Sequence, residues 1–113
     1  MTIQELGTIM QYGIGVKIVI LNNHFLGMVR QWQELFYHSR YSSTPMTNPD
    51  YITIAKAYGI QGQRVTEKES LSKSIEDMLA VSGPYVLEIN VEPEGNVFPM
   101  IPAGQPFESI IFE

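Results

Sequence analysis

The sequence predicts an α/β fold, a three-layer α/β/α arrangement around a parallel sheet in which about three strands are present. Three observations carry this. Residues 16–21, "VKIVIL", are nearly all apolar and β-branched, the composition of a strand covered on both faces. A second run of this type, "YVLEINV", lies at residues 85–91. Between and before them, helical and strand-like segments alternate, which argues for parallel strands joined by right-handed crossovers.

In chain order, residues 2–12 read as a helix, because Ile3, Leu6, Ile9 and Met10 recur at helical spacing and Gly13 and Gly15 end the pattern. The strand at 16–21 runs into Asn22-Asn23. Phe25, Val29, Trp32 and Phe36 then resume helical spacing, so a helix is expected over about 27–37. Residues 38–48, "HSRYSSTPMTN", are polar and turn-prone, a candidate active-site or partner loop. Asn48 as cap, Pro49 in the first turn and Gly59 at the end bound the next helix, with Tyr51, Ile52, Ala55 and Tyr58 on one face. A short strand is expected over Ile60–Val65. The run Thr66-Glu67-Lys68-Glu69 has the form of a capping box and opens a helix with Leu71, Ile75, Met78 and Leu79 on one face. Gly83-Pro84 stops it before the strand at 85–91. Residues 92–113 hold four prolines and two glycines and read as an extended tail.

Composition narrows the function. A length of 113 residues suits one small domain, and 44% hydrophobic residues argue against global disorder. A net charge of −5, with seven scattered basic residues, disfavours nucleic acid. Without cysteine there is neither a disulfide nor a thiolate metal site. No apolar stretch reaches the roughly 18 residues of a membrane span, and residues 1–10 lack the pattern of a signal peptide. A cytoplasmic location is expected.

Candidate chemistry gathers after the first strand. Ligands of open α/β sheets bind at the carboxyl ends of strands, where Asn22 and Asn23 stand. An amide oxygen is a hard donor suited to Mg²⁺, while Asn at a strand end also serves simply as a turn residue. Gly27 permits close backbone approach to a ligand or merely a turn. Met28 and Trp32 either line a pocket or fill the core. His24 and His38 lack metal-ligand spacing, and Glu67, Glu69, Glu76 and Asp77 read as an exposed helix face. No nucleophile-elbow, zinc-protease or phosphate-loop motif occurs.

The stretch "LNNHFLGMVRQWQELFY", with "IQELGTIMQYGIGVKIVILNN", "NPDYITIAKAYGI" and "GPYVLEINVEPEGNVFPMIPAG", resembles the thiamine-diphosphate-binding domain of the acetolactate synthase family, in its large catalytic subunit, over the whole chain. The resemblance implies an incomplete thiamine-diphosphate-binding fold, with a partial domain over 1–91 and a tail over 92–113. It implies Mg²⁺ held by the Asn23 side chain and the Phe25 backbone carbonyl, and a cofactor lined by Leu26, Gly27 and Met28. The substrate pocket would include Met28, Trp32 and Ala103. Trp32 matches the tryptophan that favours 2-ketobutyrate over pyruvate as acceptor, and Ala103 falls where the family's tail closes over the active-site channel.

The family's Gly-Asp-Gly half-motif, expected just before Thr2-Ile3-Gln4-Glu5-Leu6, is absent. So are the domain with the catalytic glutamate and the domain that binds FAD. The expected function is that of a carboxyl-terminal fragment of an enzyme condensing pyruvate with a second 2-ketoacid, with loss of CO₂, in branched-chain amino-acid biosynthesis. No catalytic residue is expected in the fragment, and it is expected to be inactive alone. A homo-oligomer and a regulatory subunit are the implied partners. The alternative is a truncated interaction module that self-associates, or binds another chain, through an exposed sheet edge.

Overall fold

The structure is a computed structural model describing residues 2–113, so Met1, the first residue of the amino-terminal segment read above, lies outside it. The chain forms two compact units, Met1–Asn23 with Thr47–Val91, and His24–Met46 with Glu92–Glu113.

The first unit holds helix α1 (Glu5–Gln11) and strand β1 (Lys17–Asn22). The second unit holds helix α2 (Gly27–Phe36). The first unit then resumes with helix α3 (Tyr51–Ala57), strand β2 (Gln61–Val65), helix α4 (Leu71–Ala80) and strand β3 (Tyr85–Asn90). The three strands form one parallel sheet in the order β1-β3-β2. All three carboxyl ends therefore lie at the same edge of the sheet. The register pairs Ile20 with Glu88 and Asn22 with Asn90 on one side of β3, and Arg64 with Glu88 on the other.

Two apolar clusters make this unit three-layered. On one face Val65, Met78, Tyr85 and Leu87 are buried, with Leu71, Ile75 and Val81 of the α4 region packed against them. On the other face Ala55, Ile60 and Val86 are buried under Leu6 and Ile9 of α1 and Ile52 and Tyr58 of α3. Close approach of α3 requires Gly62, since a Cβ there would sit 2.8 Å from the Val86 carbonyl oxygen and 3.3 Å from Ile52 Cδ1. Lys17 reaches the carboxyl end of α4, where its Nζ donates to the Val81 carbonyl at 2.6 Å. A cation at that terminus offsets the partial negative charge of the helix's unpaired carbonyls.

Several local expectations change. Asp50, not Asn48, caps α3: its carboxylate accepts the N–H groups of Ile52 at 3.0 Å and Thr53 at 3.1 Å. Gly59 ends the helical region as expected, at a positive φ of 75°. Thr66–Glu69 forms no side-chain cap; a 3₁₀ turn over Lys68–Ser70 leads into α4 instead. Leu79 faces outward rather than into the core. The run "VKIVIL" is covered on one face only, because on the other face the α4 cluster packs against β2 and β3 and includes no residue of β1. Ile18 and Ile20 pack towards α1 and α3, whereas Val19 and Leu21 are 47% and 66% exposed.

The second unit is organised by the polar side of α2. The Gln31 amide holds the Val97 backbone from both directions, accepting its N–H and donating to its carbonyl, each at 2.9 Å. Glu34 accepts from Arg30 at 3.1 Å, from the Tyr41 hydroxyl at 2.9 Å and from Asn96 at 3.1 Å. Arg30 is buried with its guanidinium 5.6 Å from the Phe25 ring centroid and 4.8 Å from that of Tyr41. The segment before α2 is tied to the following loop by Leu26 N–H to Thr44 carbonyl at 2.9 Å and Met46 N–H to His24 carbonyl at 2.8 Å. The tail is less extended than its composition suggests: Met100 and Ile111 form an antiparallel bridge around a 3₁₀ turn at Phe107–Ser109.

Candidate cofactor site

In the first unit a polar chain crosses all three strands at their carboxyl ends, on the face covered by α1 and α3. Asn22, at the end of β1, donates from Nδ2 to Glu88 Oε1 at 2.7 Å. Glu88 Oε2 accepts from Arg64 Nε of β2, also at 2.7 Å. Arg64 Nη2 reaches Asp50 Oδ1 at 3.0 Å, and Asp50 is the cap of α3. On the other side of Asn22, its Oδ1 accepts from Asn48 Nδ2 at 2.8 Å. Glu88 is only 2% exposed, so its charge is neutralised inside the protein rather than by water.

The ionisable ends of this chain respond accordingly. The Asp50 carboxyl is held below the ordinary value of 3.8, first by the Thr53 backbone N–H, then by the Thr53 hydroxyl, with the Arg64 charge adding to them. Arg64 is held above its ordinary value, first by its hydrogen bond to Glu88 and then by that carboxylate's charge. Because Asp50 has its lower value in the folded state, its ionised form adds stability that is fully present above pH 3.8 and is lost as pH falls through the folded value. Asp50→Asn keeps an amide capable of capping but removes the charge. It is expected to lower the melting temperature near neutrality, and the gap from the parent should close as pH falls below 3.8. Thermal melts across the acid range measure this, and a gap constant over that range would assign the loss to the cap geometry alone.

Asn23, the sequence-predicted cation ligand, follows β1 directly and is partly buried. Opposite Asn22, at the end of β3, the buried Oδ1 of Asn90 has no hydrogen-bond partner among the described residues. Also among the described residues, no three His, Cys, Asp or Glu side chains converge as a metal cluster. The Glu88 and Asp50 carboxylates at this edge are engaged by Asn22 and Arg64, and the Asn23 and Asn90 side chains offer neutral amide oxygens. A hard divalent cation suits them when a ligand such as a diphosphate brings the negative charge.

The remaining sequence-predicted residues belong to the second unit. Phe25 pairs with Pro45 in an isolated antiparallel bridge, and Leu26 and Gly27 lead into α2. Met28 and Trp32 stand one turn apart on α2, 52% and 44% exposed, and Trp32 meets Phe36 edge-on at 6.3 Å. Of the two readings left open for Met28 and Trp32, core filling does not hold: the helix buries Arg30 and Gln31 and leaves Met28, Val29, Trp32 and Phe36 exposed. Ala103 is exposed in the tail turn before Gly104, which has a positive φ of 78°. An open cleft of about 430 Å³ lined by Lys56, Gly59, Ile60, Gln61, Gly62 and Tyr85 lies at the amino ends of β2 and β3, away from the edge where open α/β sheets bind ligands.

The model of the family "Thiamine pyrophosphate enzyme, C-terminal TPP binding domain" matches residues 1–89. The chain belongs to this family. As such a domain it is 46% identical over 105 residues to the acetolactate synthase isozyme 2 large subunit of Escherichia coli (strain K12), which covers 92% of this chain and 19% of that protein. It is 47% identical over 104 residues to the mitochondrial acetolactate synthase catalytic subunit of Aspergillus candidus, over 92% of this chain and 15% of that protein. Among solved structures it is similar to the thiamine diphosphate-dependent 4-hydroxybenzoylformate decarboxylase of Rhodococcus jostii RHA1, with a TM-score of 0.70 and 27% identity over 80% of this chain and 17% of that one. The chain spans less than a fifth of the length of these relatives. Its thiamine-pyrophosphate-binding fold is thus the carboxyl-terminal one of the family, α/β with a parallel sheet. Among the described residues no helix is long and apolar enough to cross a membrane.

Glu88 and Arg64 escaped the reading of the sequence. The available signal was a lone carboxylate within the otherwise apolar strand "YVLEINV".

Proposed function

We propose that this chain supplies the carboxyl-terminal cofactor-binding part of an acetolactate synthase catalytic subunit. The observation that carries the reading is the Asn22-Asn23 pair at the carboxyl end of a parallel strand, in a chain of this family with acetolactate synthase relatives at 46–47% identity. In this reading Asn23 gives its side-chain oxygen, and Phe25 its backbone carbonyl, to the Mg²⁺ that binds the cofactor's diphosphate. The neutral oxygen donors at the sheet edge fit that ion. Leu26, Gly27 and Met28 line the cofactor, and Met28, Trp32 and Ala103 shape the substrate pocket. The outward apolar side of α2 supports this role for Met28 and Trp32, because large exposed apolar side chains gathered on one face suit a ligand.

When bound, thiamine diphosphate supplies an electron sink for decarboxylation of a 2-ketoacid. This chain's own part is to bind and orient. Its buried carboxylate, Glu88, has both oxygens engaged, by Asn22 and by Arg64. The chain alone is therefore read as inactive, and condensation of pyruvate with pyruvate or 2-ketobutyrate belongs to the larger enzyme. FAD, the branched-chain amino-acid pathway, a regulatory subunit and a cytoplasmic location are carried by the same reading, although the Aspergillus relative is named mitochondrial. Oligomer formation is supported by the exposed Val19 and Leu21 on the edge strand β1.

Calorimetric titration of thiamine diphosphate into the intact protein, with and without Mg²⁺, tests the reading. Binding is expected to require the cation. Asn23→Ala is expected to raise the Mg²⁺ concentration for half-maximal binding by at least about 10-fold, the scale of losses at metal sites. Mg²⁺-independent binding, or an unchanged Mg²⁺ requirement in Asn23→Ala, would remove Asn23 from the site.

A further inference from the structure

The two adjacent asparagines have different surroundings. Asn22 is buried, and its amide is held at both ends with opposite polarity: Nδ2 gives a proton to Glu88, and Oδ1 receives one from Asn48. Turned over, the amide would set donor against donor at Asn48 and acceptor against acceptor at Glu88, so its orientation is fixed. Its backbone is held as well, since the Asn22 carbonyl accepts the Val91 N–H at 3.0 Å.

Glu88 is an unusual residue for the middle strand of a small sheet. Its neighbours along β3 on this face are Val86 and Asn90, and its paired residues are Ile20 and Arg64. A carboxylate buried in a core, here paired with a half-exposed arginine, stabilises that core no better than well-packed apolar side chains of similar volume, and often less well. Packing alone therefore gives no reason for a carboxylate here. Orientation of a partner does, because a charged acceptor makes a stronger and more directional hydrogen bond than a neutral one.

We propose that Glu88 is a positioning residue. Anchored by Arg64, which Asp50 holds in turn, it clamps Asn22 and thereby fixes how the next residue, Asn23, presents its oxygen to the divalent cation. The proposal rests on the reading of Asn23 as a cation ligand. It extends the site inward from the residues that touch the ion to a chain spanning β1, β3, β2 and the cap of α3. Outer partners of this kind orient the groups that bind a metal.

The test measures two quantities in the intact protein: the Mg²⁺ concentration for half-maximal thiamine diphosphate binding, by calorimetry, and the melting temperature without ligand. Glu88→Gln removes the charge and leaves one acceptor oxygen for two donors. It is expected to raise the Mg²⁺ requirement by roughly 10–100-fold, measured well below its melting temperature. Ile75→Ala, in the apolar cluster on the opposite face of the sheet, outside this polar chain, is expected to lower the melting temperature with the Mg²⁺ requirement nearly unchanged. If Glu88→Gln fails to fold, Glu88→Asp replaces it. That variant keeps the charge, draws the carboxylate back from Asn22 by one methylene, and is expected to shift the requirement in the same direction. A folded Glu88 variant with lowered stability and an unchanged Mg²⁺ requirement, beside an Asn23→Ala control whose requirement rises, overturns the positioning role alone. An unchanged requirement in Asn23→Ala as well overturns the cation reading and the positioning role with it.

Discussion

Leu87→Ala is expected to destabilise the fold by about 2–5 kcal/mol, the range for truncating a fully buried leucine. Leu87 is completely buried at the centre of the middle strand, between Val19 of β1 and Gln63 of β2 in register, with Val65, Met78 and Tyr85 around it. The loss combines removal of apolar surface from contact with a cavity that the flanking strands cannot close, because both are hydrogen-bonded to β3 in fixed register. Leu21→Ala provides the contrast. The same atoms are deleted from an exposed edge position, where substitutions usually change stability by no more than about 0.5 kcal/mol. Urea unfolding followed by circular dichroism gives both values. Equal losses at the two positions would mean that Leu21 is covered in solution, which would place a partner on the β1 edge. A small loss at Leu87 would mean that the sheet can repack.

The contrast between these leucines also marks what was legible in the sequence. Apolar runs mark β1 and β3, since such patterns are local, and the alternation of strand-like with helical segments points to parallel strands, whereas β2, "QGQRV", carries no apolar run. Whether "VKIVIL" is covered on one face or two is not local. It depends on α4 packing over β2 and β3 and not over β1, which no property of residues 16–21 encodes. The same limit explains the polar chain. Asn48 has the right chemistry to cap α3, but Asn22, distant in sequence, takes its amide, and Asp50 caps instead. Glu88 and Arg64 are 24 residues apart and meet only because their strands are neighbours. In α2 the helical spacing of Val29, Trp32 and Phe36 was visible, but not the direction that it faces. The helix buries Arg30 and Gln31 because Glu34, Phe25, Tyr41 and the Val97 backbone satisfy them. Asn23, Phe25, Leu26, Gly27, Met28, Trp32 and Ala103 entered the site through family resemblance rather than through periodicity, and their roles rest on the proposed function.

Trp32→Leu is expected to reduce the preference for 2-ketobutyrate over pyruvate as acceptor while acetolactate formation persists. The prediction follows from the proposed pocket. The two acceptors differ by one methylene, and an apolar wall that discriminates a methylene is worth about 1–3 kcal/mol, roughly 10–200-fold in the ratio of products. Replacing the indole with leucine removes the broad flat surface that would contact the extra carbon and leaves the smaller acceptor little affected. Folding should not confound the result, because Trp32 is 44% exposed and its ring contact is with Phe36 on the same helix. Competition between the two acceptors in the intact enzyme measures the ratio directly, so a change in enzyme concentration or in the rate of the shared decarboxylation cancels. An unchanged ratio would take Trp32 out of the acceptor pocket. Equal loss of both products, with the ratio preserved, would assign it to holding α2 in place rather than to reading the acceptor.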